Sequence, residues 1–216
     1  MKFNSIYNRY TKRIIGLLVS LIGSIMLIPV YLTISVAILA DTGFPIFYRP
    51  LRGGYHNKPF RIIKFRTMIK DADKIGGGTT ALHDPRITRV GNFLRKTKLD
   101  ELPQLFNIIA GTMSFVGPRP ELLQYVERYE EQELDILKVR PGITDFSSIE
   151  FINLDEIVGS DNVDETYEKI ILKRKNELRI KYAHEVSPTT DARILFATLK
   201  AVANKAYGYI VKKEHQ

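Results

Sequence analysis

The stretch Ile14–Ala40 reads IIGLLVSLIGSIMLIPVYLTISVAILA and contains no charged residue. As a continuous helix its 27 residues would extend roughly 40 Å, against a bilayer hydrocarbon core of roughly 30 Å. The run is therefore long enough for a tilted transmembrane span, and about twice as long as the apolar core of a cleaved signal peptide. Pro29 lies near its middle, where a proline ring removes one backbone hydrogen bond and clashes with the preceding turn.

The flanks carry the topological information. Lys2, Arg9, Lys12 and Arg13 precede the run without an acid. Arg49, Arg52, Lys58, Arg61, Lys64, Arg66 and Lys70 follow it, opposed only by Asp41. Basic flanks favour the cytoplasmic side. With both flanks basic, the segment can enter the bilayer and turn back at Pro29, although proline also occurs in kinked spans. The flanks alone leave both topologies open.

The 216 residues carry a formal charge of +8 and no cysteine. Disulfides, thiolate nucleophiles and cysteine-ligated metals are excluded. The positive excess suits polyanions: nucleic acid, anionic lipid or phosphorylated substrates. The four histidines show no close metal-ligand spacing, and no aromatic stacking motif of an RNA-binding domain is present.

Beyond the apolar run, alternation predicts a strand over Phe60–Met68, with Phe60, Ile62, Lys64 and Arg66 on one face. The glycines at 76–78 lie in a loop; no Gly-Lys-Ser/Thr follows, so this is no nucleotide-binding P-loop. Thr88–Lys98 reads as a short basic helix, Leu99–Ala110 as an amphipathic helix stopped by Gly111, and Leu122–Leu137 as an acidic helix. Val163–Tyr182 is expected to turn Tyr167, Ile170, Ile171, Leu178 and Tyr182 inward and its charges to solvent. Ser187-Pro188 starts a last helix. Leu195, Leu199 and Val202, with Lys200, Lys205, Lys212 and Lys213, fit it to a membrane surface or to the domain core.

The chemistry is concentrated in Lys98-Leu99-Asp100-Glu101-Leu102-Pro103-Gln104-Leu105. Two adjacent carboxylates open a helix, between the bases Arg86, Arg89, Arg95, Lys96 and Lys98 and the stiff segment Gly117-Pro118-Arg119-Pro120. Acids among bases at a helix start suit the handling of a metal and a phosphate. Acids in a first turn also complement the helix dipole, and Pro103 is tolerated where amides lack intrahelical partners. The residues alone leave a capping role and a chemical role open.

The chain resembles the bacterial sugar transferase family, the small monotopic phosphoglycosyl transferases. The resemblance rests on the apolar segment with its proline, Lys64-Phe65-Arg66-Thr67-Met68, Asp84-Pro85-Arg86-Ile87-Thr88 and Gly91-Asn92-Phe93-Leu94-Arg95. It continues through Leu99–Asn107, Met113-Ser114-Phe115-Val116-Gly117-Pro118-Arg119-Pro120 and Arg140-Pro141-Gly142-Ile143-Thr144. Two departures stand out: Ile28 replaces the serine that many members place before the proline, and Asp145 follows the last motif where many have glycine. The second falls in a region fitted to sugar selection.

The resemblance implies a mostly helical α+β fold: residues 1–40 as a basic N-terminus and re-entrant helix-break-helix, residues 41–216 as a cytoplasmic catalytic domain with short strands and interfacial helices. It implies transfer of a phosphosugar from a UDP-sugar to polyprenyl phosphate with release of UMP, on the cytoplasmic face of the bacterial inner membrane, at the start of glycoconjugate or polysaccharide assembly. Asp100 and Glu101 become the catalytic pair. We expect Asp100 to attack the donor phosphate, and Glu101 either to help hold Mg²⁺ or to position the acceptor. Lys64, Arg66, Arg95 and Arg119 are the expected phosphate binders, with Pro118 and Pro120 stiffening the segment around Arg119. Arg140 either joins them or holds its own turn. Anionic lipid is a further expected partner, and a homo-oligomer is compatible with the sequence. Two other readings compete: a metal-dependent glycosyltransferase releasing UDP, and a non-enzymatic basic membrane-anchored binder. Acids at the centre of the basic surface would repel nucleic acid.

Overall fold

In the computed structural model, which describes residues 2–81 and 83–214, the chain is mostly helical with a few very short strands. The apolar run forms two helices, α1 (Lys12–Met26) and α2 (Ile28–Thr42), with Tyr7–Thr11 leading into α1 as one π-helical turn. The axes of Tyr7–Met26 and Ile28–Thr42 are bent 61° apart, and no single helix among the described residues is long and apolar enough to cross a membrane. The break falls at Leu27, two residues before Pro29, which occupies the first turn of α2, where its missing N–H leaves no bond unmade. The outer faces of both arms expose Ile14, Ile15, Leu18, Val19, Ile22, Ile25, Met26, Ile28, Leu32 and Val36, an apolar surface of the kind that marks an interaction site.

The inner faces join the rest of the chain. Gly16, Ser20 and Gly23 turn one stripe of small residues of α1 toward α5 (Gln104–Ile109): a Cβ on Gly16 would sit 3.4 Å from Ile108 and one on Gly23 3.6 Å from Leu105. Ile34 and Ile38 of α2 share a core with Phe65 and Leu94. Both α1 and α2 therefore share packed core with residues that follow them.

The predicted strand Phe60–Met68 is interrupted. Strands β1 (Phe47–Tyr48), β2 (Leu51–Arg52), β3 (Phe60–Arg61) and β4 (Lys64–Phe65) pair antiparallel as β1–β4 and β2–β3. Between β3 and β4 the side chain of Asn107 takes over the ladder: its Oδ1 accepts from Ile63 N–H at 2.8 Å and its Nδ2 donates to the Arg61 carbonyl at 2.8 Å. The alternation changes phase there, so Phe60 and Ile62 are buried but Phe65 is the next core residue.

A short turn of helix, α3 (Ala72–Ile75), precedes the glycine loop, and α4 (Arg89–Thr97) starts on Thr88, whose hydroxyl accepts from Gly91 N–H at 2.9 Å. After α5 comes β5 (Ser114–Val116), parallel to β6 (Gly142–Thr144). The expected helix Leu122–Leu137 is broken: α6 (Leu123–Val126) ends before a separate 3-10 segment, Glu131–Lys138, entered through Glu131 at φ 42°. Helices α7 (Phe146–Glu150) and α8 (Leu154–Val158) follow.

Next come α9 (Val163–Thr166), a π-helical turn Tyr167–Ile171, and α10 (Leu172–Glu185). Tyr167, Ile171, Leu178 and Tyr182 point inward as expected, but Ile170 is exposed and the charges are not all at the surface: Lys175 and Arg179 are buried. Helix α11 (Pro188–Glu214) closes the chain against α4 and α7, with Leu195, Phe196 and Leu199 exposed. The Lys212 and Lys213 side chains lie outside the described ones.

Asn107 thus seats α5 on the strand segment. Asn107→Ala removes the partners of the Ile63 N–H and the Arg61 carbonyl and opens a void at a buried side chain. It is expected to lower the unfolding free energy by about 2–4 kcal/mol, read as a fall in thermal midpoint in detergent.

Candidate active site

Helix α4 ends on Lys98, which takes the left-handed conformation at φ 60° and reverses the chain. The next residues, Leu99–Glu101, form a 3-10 turn, and Pro103, lacking an N–H, leads into α5. Asp100 and Glu101 are thereby set at the head of the helix that α1 and the strand segment hold from either side.

Their environments differ. Lys64 of β4 donates to Glu101 Oε1 at 3.1 Å. Arg119 grips the same carboxylate with both terminal nitrogens, Nη1 donating to Oε2 at 3.0 Å and Nη2 to Oε1. Burial pushes the Glu101 carboxyl up, but the charges of Arg119 and Lys64 more than reverse this and hold it well below the ordinary range. Asp100 accepts no hydrogen bond among the described residues. Its Oδ1 is closed off from solvent, so the residue's remaining 7% exposure lies elsewhere on it. Burial first, and then the negative charge of Glu101, raise its pKa, against the pull of Lys64, Lys98 and Arg95. One carboxylate is clamped and ionised; the other is unclamped and poised closer to protonation.

Arg119 is placed by backbone. Gly117 N–H donates to the Thr144 carbonyl at 2.9 Å and Gly142 N–H to the Pro118 carbonyl at 3.1 Å. The motifs around 117 and 142 therefore lie main chain to main chain. A Cβ on Gly142 would lie 2.1 Å from Gly117 N, so only glycine permits this approach. Arg119 Nη1 also donates to the Ile143 carbonyl at 2.9 Å, and its backbone N–H donates to Asp145 Oδ2 at 3.0 Å.

The other expected site residues separate. Arg95 is half-buried and lowers the Asp100 pKa through its charge, its side chain making no hydrogen bond or ion pair among the described residues. Arg66 is buried with its Nη2 on the Thr42 and Gly43 carbonyls and the Thr42 hydroxyl, capping the end of α2. Arg140 donates to the Gly111 carbonyl at 3.3 Å, lies over the Tyr55 ring, and lines a crevice with Lys12 and Arg13 at the far end of α5. Neither Arg66 nor Arg140 bonds either carboxylate. Arg66 Nε and Nη1 have no hydrogen-bond partner among the described residues.

Three supports carried no local signal. Tyr31 of α2 donates to the Leu102 carbonyl at 3.2 Å and packs on Phe65 and Phe106. Arg13 donates to the carbonyls of Ile108 and Ile109 at the end of α5. Glu121, two residues past Arg119, accepts from Arg179 Nη2 at 2.9 Å and from the Tyr167 hydroxyl. Lys175, on Tyr167 Oη at 3.2 Å, is pushed down to about 7 by burial and the Arg179 charge.

Among the described residues no group of three or more His, Asp or Glu is arranged to hold a metal ion. The available donor set is the pair itself: Asp100, which accepts no hydrogen bond, and Glu101 Oε2, which accepts one and keeps a lone pair. That fits Mg²⁺, which takes one or two carboxylates plus substrate phosphates and water.

The family model described as bacterial sugar transferase matches residues 7–205. The chain is 35% identical over 204 residues to the UDP-glucose:undecaprenyl-phosphate glucose-1-phosphate transferase of Escherichia coli, covering 92% of this chain and 42% of that protein. It is 34% identical over 203 residues to a galactosyl transferase of Streptococcus agalactiae, covering 89% and 40%. It is 33% identical over 196 residues to the undecaprenyl-phosphate glucose phosphotransferase of Komagataeibacter xylinus, covering 88% and 35%. The chain thus spans about two fifths of the length of these relatives.

Burial raises the Glu121 carboxyl, but Arg179, Lys175 and the Tyr167 hydroxyl outweigh it and bring the pKa down to about 2. A depressed carboxyl stabilises the fold above its unfolded pKa of about 4.5, and that stability is lost as pH falls toward 2. The loss is expected to total about 3 kcal/mol across this window. Glu121→Gln should flatten acid unfolding there by a comparable amount, measured by thermal midpoint against pH.

Proposed function

The chain belongs to the bacterial sugar transferase family, and from that membership and the unequal carboxylate pair we propose that it moves a phosphosugar from a UDP-sugar to polyprenyl phosphate and releases UMP. The observation that carries the reading is the division of labour between Asp100 and Glu101: one carboxylate unclamped, the other ionised and fixed between two cations.

Asp100 presents its free carboxylate oxygen to the sugar-linked phosphorus of the donor. A new oxygen–phosphorus bond forms, the bond from that phosphorus to the bridging oxygen breaks, and UMP leaves with that oxygen. The phosphosugar is then held on Asp100 as an acyl phosphate. An oxygen of the polyprenyl phosphate attacks the same phosphorus, the Asp100 carboxylate leaves, and a polyprenyl diphosphate sugar is formed. Splitting the transfer in two gives ping-pong kinetics. Arg119 and Lys64 keep Glu101 ionised and line the pair with positive charge suited to phosphate oxygens. Asp100 and Glu101 would hold Mg²⁺, which, when bound, neutralises charge on the donor phosphates so that an anion can approach.

A polyprenyl tail stays in the bilayer while a UDP-sugar stays in water, so the pair must sit at headgroup level. The bent helix pair α1–α2, its exposed apolar face and its basic flanks support a re-entrant anchor with the site on the cytoplasmic face of the inner membrane. Which sugar is carried is not set by membership, since relatives are named for glucose 1-phosphate and for galactose.

Screening UDP-sugars with polyprenyl phosphate is expected to release UMP rather than UDP, with EDTA abolishing turnover and Mg²⁺ restoring it. Asp100→Asn should drop turnover to background and leave no phosphosugar adduct; near-normal activity in that variant would sink the assignment. The absence of cysteine makes topology a clean test. Tyr10→Cys and Phe44→Cys, both at exposed positions flanking the hairpin, should be labelled from the cytoplasmic side only, whereas labelling from opposite sides would establish a true span.

A further inference from the structure

Helix α5 carries two buried carboxamides, and they are treated oppositely. Asn107 has both ends engaged, on Ile63 N–H and the Arg61 carbonyl at 2.8 Å each, and docks the helix. Gln104 is fully buried at 0% exposure, and neither its Oε1 nor its Nε2 has a hydrogen-bond partner among the described residues. Burying an amide in this way destabilises a fold, and native proteins rarely leave one. A solvent-closed carboxylate oxygen with the same deficit, Asp100 Oδ1, lies one turn earlier on the same right-handed segment. Residues four apart on a helix are neighbours.

Resting on Asp100 as the reacting group, we infer that Gln104 is its positioning residue: in the reacting complex, though not in the resting chain, Nε2 donates to Asp100 Oδ1, fixes the plane of the carboxylate, and so leaves the other oxygen aimed outward at the donor phosphorus. Gln104 is closed off from solvent and cannot touch the substrate itself. Hydrogen bonds of this kind are often long or misaligned without substrate and tighten when the reacting complex forms. A positioned carboxylate needs no reorientation as the phosphorus arrives. The amide also donates without adding charge beside an acid already next to Glu101. The unmet bonds of Gln104 in the resting chain are then a stability sacrifice at a working site, a place where local folding rules are commonly broken.

The test uses the full chain in detergent or lipid nanodiscs, with Gln104→Met, which keeps volume and removes the polar atoms. Replacing an unpaired buried amide by an apolar group of similar shape leaves stability unchanged or higher. The thermal midpoint is therefore expected to hold or rise, while kcat falls roughly 10- to 100-fold, the range of one hydrogen bond to a charged group. The KM for UDP-sugar should stay within about twofold, and the single-turnover rate of adduct formation on Asp100 should fall with kcat, as loss of a group acting at the chemical step requires. A purely structural glutamine would move the midpoint and leave kcat of the folded protein alone; that outcome overturns the inference. Should Gln104→Met fail to fold, Gln104→Leu, which likewise removes the donor without adding a charge, is read the same way. If Asp100→Asn retains turnover, the assignment of Asp100 itself fails. If Asp100 is essential and Gln104→Met keeps full kcat, only this inference fails.

Discussion

The grip of Arg119 on Glu101 is the constraint on which the rest of the site depends. One guanidinium bonds both oxygens of that carboxylate and, through Nη1, the Ile143 carbonyl, so it ties the head of α5 to the middle of β6. Lys64 adds a second cation from β4. Taking three charges out of water is expensive, and a buried cluster of this kind is weak evidence of net stability. Removing one partner is a different matter, since it strands the others and costs about 3–5 kcal/mol. The cluster is better understood as a fixture of geometry: it holds Glu101 ionised, and the like charge of Glu101 then contributes to raising Asp100. The inequality within the pair follows from where one arginine is held.

That arginine is held by backbone contacts that only glycine allows. Gly117 and Gly142 bring two motifs 25 residues apart into main-chain contact, and the prolines on either side of Arg119 limit its backbone freedom. From the other side, α1 reaches α5 because Gly16, Ser20 and Gly23 leave a groove, while Arg13 caps the carbonyl end of α5 and Tyr31 takes the Leu102 carbonyl near its head. The apolar hairpin is therefore part of the support of the carboxylates. Shifting it would shift them, which links the position of the hairpin to geometry at the site.

Much of this was legible in the sequence because it is local. A charge-free run with a proline gives a broken helix pair; Thr88 and Lys98 delimit α4, and Gly111 follows α5, although the helix expected from Leu99 opens as a 3-10 turn and is α-helical only from Gln104; Asp100, Glu101 and Arg119 sit in contiguous motifs. What could not be read depends on partners far along the chain. The strand Phe60–Met68 loses its phase to the side chain of Asn107, over forty residues away. The contacts of Arg66 with the end of α2, and of Arg140 with Gly111 and Tyr55, are likewise set by tertiary packing. The charges of α10 fit a solvated face by periodicity, yet Arg179 is buried because Glu121 meets it from 58 residues upstream. Amphipathic patterning registers charge as polarity and is blind to a counter-charge brought by tertiary structure.

Asp145 carries this logic to the point where the chain departs from the pattern that its resemblance to the family implies. Read as sequence, an acid in place of glycine beside a substrate region suggests a change in what is bound. In the fold the carboxylate is fully buried. It accepts from the Ser147 and Ser148 hydroxyls and the Ser148 N–H at the start of α7, and from the Arg119 N–H at 3.0 Å. Four donors leave it little capacity for a sugar, and its burial leaves no path to one. Asp145 instead fastens α7 to the main chain that presents Arg119, a connection glycine has no side chain to make. Asp145 can act on the carboxylate pair only through the position of that arginine or of the helix it caps.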